Sequence, residues 1–509
     1  MKKILIIQLS RLGDLLHSLP LVKRLKDEYP QAHISMACAR EFSLIAESCP
    51  FLDRLITIPV VDIVPLDTKE IRSLDSFESS HTERIFSIIE LHEEYDLVIN
   101  LTHNLIGGLI CSFVQSRKKS GRVDDGRGRS AVFGRWARYF FAMTLDRRQN
   151  LFNIVDIYLG MGEVPHRPVE GYFAVPPKAE ESALELLGAN GFSQTSRLIA
   201  LQLGASNPNR VWPLDRFVSV ANSLKRHPGI EIVLLGNASE QPAARRFLQS
   251  ADLPAIDLVG KTDLTQLAGV IMRCDLMIAN DIGPLHLAAA LGPRVLGLYF
   301  CSGHFAETAP YGAGNVVIQA EPPCSPCPEG EGCETLACRE DLRAEAVIDA
   351  VEMILFDKER PSFEYPNLSV YQSSFLANGT ILYSPLSRSI SEQYQTGFIT
   401  RRMFEAAFDL KHDSRFDRDF LPGLLSADGS GKKIGQQRDN VVQLQVCFQE
   451  ALKTAHALVR ESAAESTSRE RIQSLIWHLQ QQEGRIVASA PSIVKNLHDA
   501  ALNEILTRT

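Results

Sequence analysis

Three polar segments carry the residue types that acid–base and anion chemistry require. The first is Ser10-Arg11-Leu12-Gly13-Asp14-Leu15-Leu16-His17-Ser18-Leu19-Pro20, directly after an apolar run. Asp14 falls at the start of a helical pattern, where the helix dipole and free N–H groups favour a carboxylate. One reading of Asp14 is a helix cap. The other is a general base, which needs an ionised carboxylate within hydrogen-bond reach of an acceptor hydroxyl. His17 lies one turn further on the same face and reads equally well as a core or capping histidine.

The second segment is Gln202-Leu203-Gly204-Ala205-Ser206-Asn207-Pro208-Asn209-Arg210-Val211-Trp212-Pro213. Gly204 allows a ligand close to the backbone, Ser206 offers a hydroxyl, and Arg210 offers a charged fork suited to a diphosphate. A polar loop entering a helix at Trp212-Pro213 is the competing reading. The third segment, Asn280-Asp281-Ile282-Gly283-Pro284-Leu285-His286, introduces an Ala-rich helix whose free N–H groups make an anion site. Together with Arg210, that helix start can offset the charge on a leaving nucleoside diphosphate without a metal ion. His286 alone would read as a hydrogen-bonded core histidine.

Each segment follows a short apolar run of strand character. The runs Lys3 to Leu9, Ile34 to Ala37, Leu55 to Ile58 and Leu97 to Leu101 alternate with helical spacing such as Asp14 to Glu28. A Pro-rich break at 165–177 precedes a second alternation. Its strands are Leu198 to Leu203, Ile230 to Leu235, Asp257 to Val259, Leu276 to Ala279 and Val295 to Tyr299. Such βαβ texture implies two open, doubly wound parallel sheets with ligands at the carboxyl ends of the strands. Arg117 to Arg138 breaks the pattern, with eight basic residues against two acids, and reads as a mobile basic loop. Beyond Lys358, Asn378-Gly379 between two apolar runs predicts a hairpin. Segments 441–459, 469–482 and 492–506 predict amphipathic helices. The expected domains are 1–172, 173–358 and a hairpin and mainly helical extension at 359–509.

The 509 residues are 45% hydrophobic and 22% charged, the balance of a soluble globular protein, with 53 basic and 61 acidic side chains giving a net charge of −8. That balance argues against general nucleic-acid binding. No apolar run reaches membrane-spanning length, and the apolar start is interrupted by Gln8, Arg11 and Asp14, so the expected location is cytoplasmic. Of ten cysteines, Cys324, Cys327, Cys333 and Cys338 cluster as C-x2-C-x5-C-x4-C. This spacing suits a structural Zn or Fe ion held by four thiolates, with free thiols in a Pro/Gly-rich loop as the alternative.

In order and spacing the three segments resemble glycosyltransferase family 9, the ADP-heptose:lipopolysaccharide heptosyltransferases, over roughly residues 1 to 355. Gly236 and Glu240 after the next strand belong to the same pattern. The resemblance implies a GT-B fold, two Rossmann-like domains facing a cleft. It also implies inverting transfer of a heptose from ADP-heptose to a hydroxyl of the lipopolysaccharide inner core, with no cofactor required. By position, Asp14 is the implied base. Ser206 and Arg210 meet the donor phosphates, Gly236 and Glu240 the ribose region, and Lys261 and Thr262 the adenine pocket. Asp281, Ile282, Gly283, Pro284 and His286 hold the diphosphate and sugar. Many members carry Lys where this chain has Arg210. Arg11, His17, Arg117, Lys118, Lys119 and Arg122 are expected on the acceptor side. There the basic stretch is either a solvated loop or an electrostatic contact with anionic lipid phosphates at the inner membrane face, about 1 kcal/mol per residue. A protein hydroxyl acceptor, as in the autotransporter-modifying branch, and a non-catalytic scaffold are the alternatives. The C-terminal helices are the expected contacts of an oligomer.

Overall fold

The computed structural model describes residues 2–60, 89–124, 130–143, 147, 150–327, 333, 335–356, 361–387, 394 and 401. Its main compact unit comprises Met1–Ala137 with Phe152–Ser389. In it, strand β1 (Lys3–Gln8) has Ile4, Leu5, Ile6 and Ile7 fully buried. Burial on both faces is what a central parallel strand requires, and each such side chain contributes about 2 kcal/mol.

The strands β2 (His33–Ala39), β3 (Arg54–Ile58), β4 (Tyr95–Asn100), β5 (Ser116–Asp124) and β6 (Ser130–Phe133) complete a sheet of order β3-β2-β1-β4-β5-β6. It is parallel except for β6. The stretch expected as a mobile basic loop is therefore largely a strand pair. Backbone pairing with β4 holds β5 whatever its side chains, and its cations find anions. Arg117 lies 3.4 Å from Asp96 and Lys118 2.5 Å from Glu163, while Lys119 donates to the Ser112 carbonyl at 3.0 Å.

The second sheet contains β7 (Arg197–Gln202), β8 (Ile230–Leu235), β9 (Ala255–Asp257), β10 (Leu276–Asn280), β11 (Arg294–Tyr299), β12 (Val316–Ala320), β13 (Leu368–Phe375) and β14 (Ile381–Pro385). Its order is β14-β13-β12-β11-β10-β7-β8-β9. The predicted Asn378-Gly379 hairpin is β13–β14. Rather than standing apart with the extension, it pairs antiparallel with β12 and carries the sheet past residue 358. Nine helices are labelled here: α1 (Leu12–Glu28), α2 (Leu105–Phe113), α3 (Ile154–Met161), α4 (Pro177–Ala189), α5 (Leu214–Leu224), α6 (Gln241–Ser250), α7 (Leu264–Arg273), α8 (Gly283–Leu291) and α9 (Ala344–Phe356).

Strand order reverses at β1, which lies between β2 and β4, and at β7, which lies between β8 and β10. In open α/β sheets a crevice forms at such switch points, outside the carboxyl ends of the strands. The three polar segments occupy the loops after β1, β7 and β10.

The second compact unit comprises Arg138–Leu151 with Ile390–Thr509. Within it Tyr139 donates to Asn150 Oδ1 at 2.7 Å, and Arg401 donates to the Leu151 carbonyl. The helices predicted at 441–459, 469–482 and 492–506 lie outside the described residues.

Candidate active site

The loop after β7 is shaped by buried side chains on neighbouring strands. Asn280, the last residue of β10, is fully buried. Its Nδ2 donates to the Gly204 carbonyl at 3.1 Å and its Oδ1 accepts from Trp212 N–H at 3.2 Å. Trp212 is itself fully buried and donates through Nε1 to the Leu342 carbonyl at 2.8 Å. The loop between these two anchors presents Ser206, which is exposed, and Arg210.

Arg210 donates from Nε to Ser302 Oγ at 2.9 Å and from NH1 to Asp281 Oδ2 at 3.3 Å. Asp281 also receives the Thr308 hydroxyl at 3.3 Å, and His286 Nε2 stands 3.5 Å from Oδ1. Burial by itself raises the Asp281 pKa. The His286 hydrogen bond and the charge of Arg210 outweigh it, so the carboxyl is held below its ordinary value and stays ionised. Ile282 is the cap residue of α8, and Gly283-Pro284 form its first turn. A carboxylate, a guanidinium and a helix N-terminus thus converge after β7 and β10, an arrangement able to bind and orient an anion.

Glu240 is a half-buried acid of this half. Its Oε2 accepts from Gln202 Nε2 at 2.7 Å and from Asn237 N–H at 3.2 Å. Burial raises its pKa above the ordinary carboxylate value. Gly204 and Gly236 are required beside it, because a Cβ would lie 2.2 Å and 2.0 Å from its carboxylate oxygens. Of the two residues expected beside it, Lys261 is exposed and its ammonium is held by Asp257 Oδ2 at 3.1 Å, and Thr262 is half-buried.

On the first sheet, Arg11 is the exposed cap residue of α1, and Asp14 occupies the third helical position. One Asp14 oxygen, Oδ2, accepts from Arg11 N–H at 3.3 Å, so the capping and site readings of this residue are compatible. Gln8, buried at the end of β1, accepts from Ser10 N–H at 3.1 Å and donates to the Tyr158 hydroxyl at 3.3 Å. His17 is buried, and its ring centroid lies 4.2 Å from that of His286. Burial first, then the neighbouring His286, push its pKa well below 6.5, so the ring is neutral.

The basic residues expected on the acceptor side separate along β5. Arg117, Lys118 and Lys119 lie toward the start of the strand, opposite Tyr95 to Val98, whereas the carboxyl ends carry the loops. Only Arg122 lies at that end, where Asp124 receives its Nε and NH2 at 2.8 and 2.9 Å.

The cysteine spacing does not produce the expected tetrahedral cage. Among the described residues no three His, Cys, Asp or Glu side chains are placed to hold a metal ion. Cys338 is buried and its sulfur accepts from Cys301 N–H at 3.3 Å, whereas Cys324 is exposed. Burial first, then the other cysteines, push the Cys327 thiol up to about 12. Cysteines of such unequal exposure do not form a four-thiolate site among the described residues.

Sequence reasoning missed Gln8, Gln202, Asn280, Ser302 and Thr308. The amides end or closely follow the buried strands, and a polar residue closing an apolar strand is the only signal that could have found them.

Residues 88–336 match the family model described as glycosyltransferase family 9 (heptosyltransferase). The matched span contains Arg210, Glu240, Asp281 and His286, and begins after Asp14. The lipopolysaccharide core heptosyltransferase OpsX of Haemophilus influenzae is 22% identical over 318 residues, 61% of this chain and 82% of that protein. Lipooligosaccharide heptosyltransferase 2 of Haemophilus ducreyi is 26% identical over 335 residues, 62% of this chain and 88% of that protein. The crystal structure of a family 9 glycosyltransferase from Veillonella parvula is 22% identical. It superposes with a TM-score of 0.57, covering 70% of this chain and 98% of that one. With its two switch-point sheets, the chain has the GT-B fold. Over residues 88–336 it is similar to glycosyltransferase family 9, and it is a glycosyltransferase.

Proposed function

We propose that the chain transfers a heptose from ADP-heptose to a hydroxyl of the lipopolysaccharide inner core, with inversion at the anomeric carbon. The observation that carries this reading is the Arg210–Asp281–His286 group at the start of α8, set against the Asp14 end of α1 through the His17–His286 contact. The similarity to lipopolysaccharide core heptosyltransferases supplies the sugar and the acceptor class.

In this reading Asp14 accepts the proton of the acceptor hydroxyl. The hydroxyl oxygen forms a bond to the anomeric carbon as the carbon–oxygen bond to the diphosphate breaks, and ADP leaves. Arg210 and the N–H groups of α8 offset the charge that develops on the leaving diphosphate, without reorganising at the moment of transfer. Gln202 and Asn237 hold Glu240 where the ribose would lie. The acceptor lies on the first sheet, near Arg11 and Arg122, and work at the cytoplasmic face of the inner membrane follows from a lipid-linked acceptor. Among the described residues no helix is long and apolar enough to cross a membrane.

The test is transfer from ADP-heptose to a heptose-deficient core acceptor by the wild type and by Asp14→Asn. The expected result is transfer by the wild type and a loss of about 10²- to 10⁴-fold in kcat for the variant. An unchanged rate for Asp14→Asn removes Asp14 as the base. A wild type that transfers only to a peptide hydroxyl moves the acceptor to protein, and one that transfers from no nucleotide sugar leaves a scaffold.

A further inference from the structure

The contact between α1 and α8 is built from the first turns of two helices that start at the switch points of different sheets. Gly283 lies against Leu12, and a Cβ there would stand 2.6 Å from Leu12 Cδ2. Gly13 lies against His286, with a would-be Cβ 3.1 Å from the ring. One turn further in, the His17 and His286 rings meet at 4.2 Å between centroids with their planes at 57°. His286 Nε2 is 3.5 Å from Asp281 Oδ1. Asp14 and His17 are three residues apart on α1, and Asp281 immediately precedes α8. The separation between Asp14 and the Asp281 loop is therefore set by how closely these two turns pack.

His17 is 4% exposed, and among the described residues neither of its ring nitrogens has a hydrogen-bond partner. A buried polar atom without a partner destabilises the fold, whereas an apolar group of the same shape is neutral or better. The ring is thus held for its volume against His286.

We propose that His17 is a positioning residue for transfer. Its ring, packed on His286 beside the Gly13 and Gly283 contacts, spaces the base-bearing helix from the donor loop. The proposal rests on reading Asp14 as the base and the Asp281 loop as the donor site. Misplacing a reacting group by about 1 Å costs on the order of 10²-fold in rate. Removing the ring acts on this distance and leaves the Arg210–Asp281 grip on the donor in place.

The experiment compares wild type, His17→Ala and His17→Phe in the full chain, by steady-state transfer kinetics and by hydrogen exchange of the 12–19 and 283–291 peptides. His17→Ala is expected to lower kcat roughly 10- to 100-fold, with the donor KM within about twofold. It should also speed exchange in 283–291, in a helix that carries no substitution. His17→Phe, which keeps a ring and discards the unpartnered nitrogens, is expected to recover kcat to within about threefold and to melt no lower than wild type. Wild-type kcat in His17→Ala, or unchanged exchange in 283–291, overturns the proposal. A His17→Phe variant as slow as His17→Ala also overturns it, because the nitrogens would then be acting on substrate. Full activity of Asp14→Asn would instead defeat the reading of the base, and the exchange result would still decide whether His17 spaces the two helices.

Discussion

The two switch points are built differently. After β7 and β10 the charged groups are sunk into the protein: the side chain of Asp281 is 8% exposed and that of Arg210 15%. Ser302, Thr308 and His286 complete the group. After β1 the charged groups are closer to solvent, with Arg11 exposed and Asp14 half-buried. A buried ion pair is stable only while both partners are present and hydrogen-bonded, so the Asp281 side is rigid and intolerant of change. In the proposed reaction that contrast places a preformed donor grip opposite an open acceptor side.

The hardest way to break this contrast is Arg210→Ala. It leaves Asp281 ionised and buried without its cation, a loss of about 3 kcal/mol by analogy with other broken buried pairs. The expected outcome is a drop of more than about 10²-fold in kcat/KM together with a lower denaturant midpoint. Arg210→Lys keeps the charge but not the fork that reaches Ser302 and Asp281 at once, so it should fall between. Activity and stability falling together is the signature of a preformed grip. A loss of activity at unchanged stability would show that the pair adds nothing to the fold.

Gly204→Ala sharpens the same contrast with a smaller effect. The added methyl would stand 2.2 Å from the Glu240 carboxylate, which cannot move without giving up Gln202 or Asn237. Overpacking of this kind costs about 1–3 kcal/mol. In the proposed reaction it should also raise the KM for the nucleotide sugar more than it lowers kcat. The thermal midpoint and the donor titration check both parts, and a variant with wild-type values for each would show the loop yielding freely.

Much of this architecture was legible because it depends on local pattern. Apolar runs such as Ile4 to Ile7 have the length and composition of buried parallel strands, and the polar segments after β1, β7 and β10 stand where such sheets bind ligands. The long-range polar supports were not legible. Asn280 meets Trp212 across 68 residues and Arg210 meets Ser302 across 92, and nothing local in the chain encodes those distances. Strand β5 was hidden for another reason. Its Arg117-Lys118-Lys119 run lacks apolar alternation, while the backbone pairing that makes it a strand is indifferent to side chains. The cysteine cluster shows the converse failure. Its spacing satisfies a metal-binding pattern, but one member is exposed and another buried, and spacing alone does not fix where a loop points its thiols.

The smallest effect separates the two sides by pH. His17 on the α1 side has its pKa depressed below 6.5, and Asp281 is held below 3.8. Both groups bind protons more readily in the unfolded chain than in the folded one, so each contributes stability that is complete above its unfolded value. For His17 this contribution begins to be lost as pH falls below about 6.5, and it is gone once pH passes through the lower folded value. For Asp281 the loss begins only below about 3.8. Midpoints measured from pH 7.5 down to 5.5 should therefore fall more steeply in wild type than in His17→Phe, which removes the titrating ring and keeps its volume. The difference between the two curves isolates His17 from the other histidines, and Asp281 stays ionised throughout that range. Parallel curves would mean that His17 is protonated as easily in the folded chain as in the unfolded one. A ring free to take up a proton there cannot be packed dry against His286, so the same measurement bears on how tightly the two helices meet.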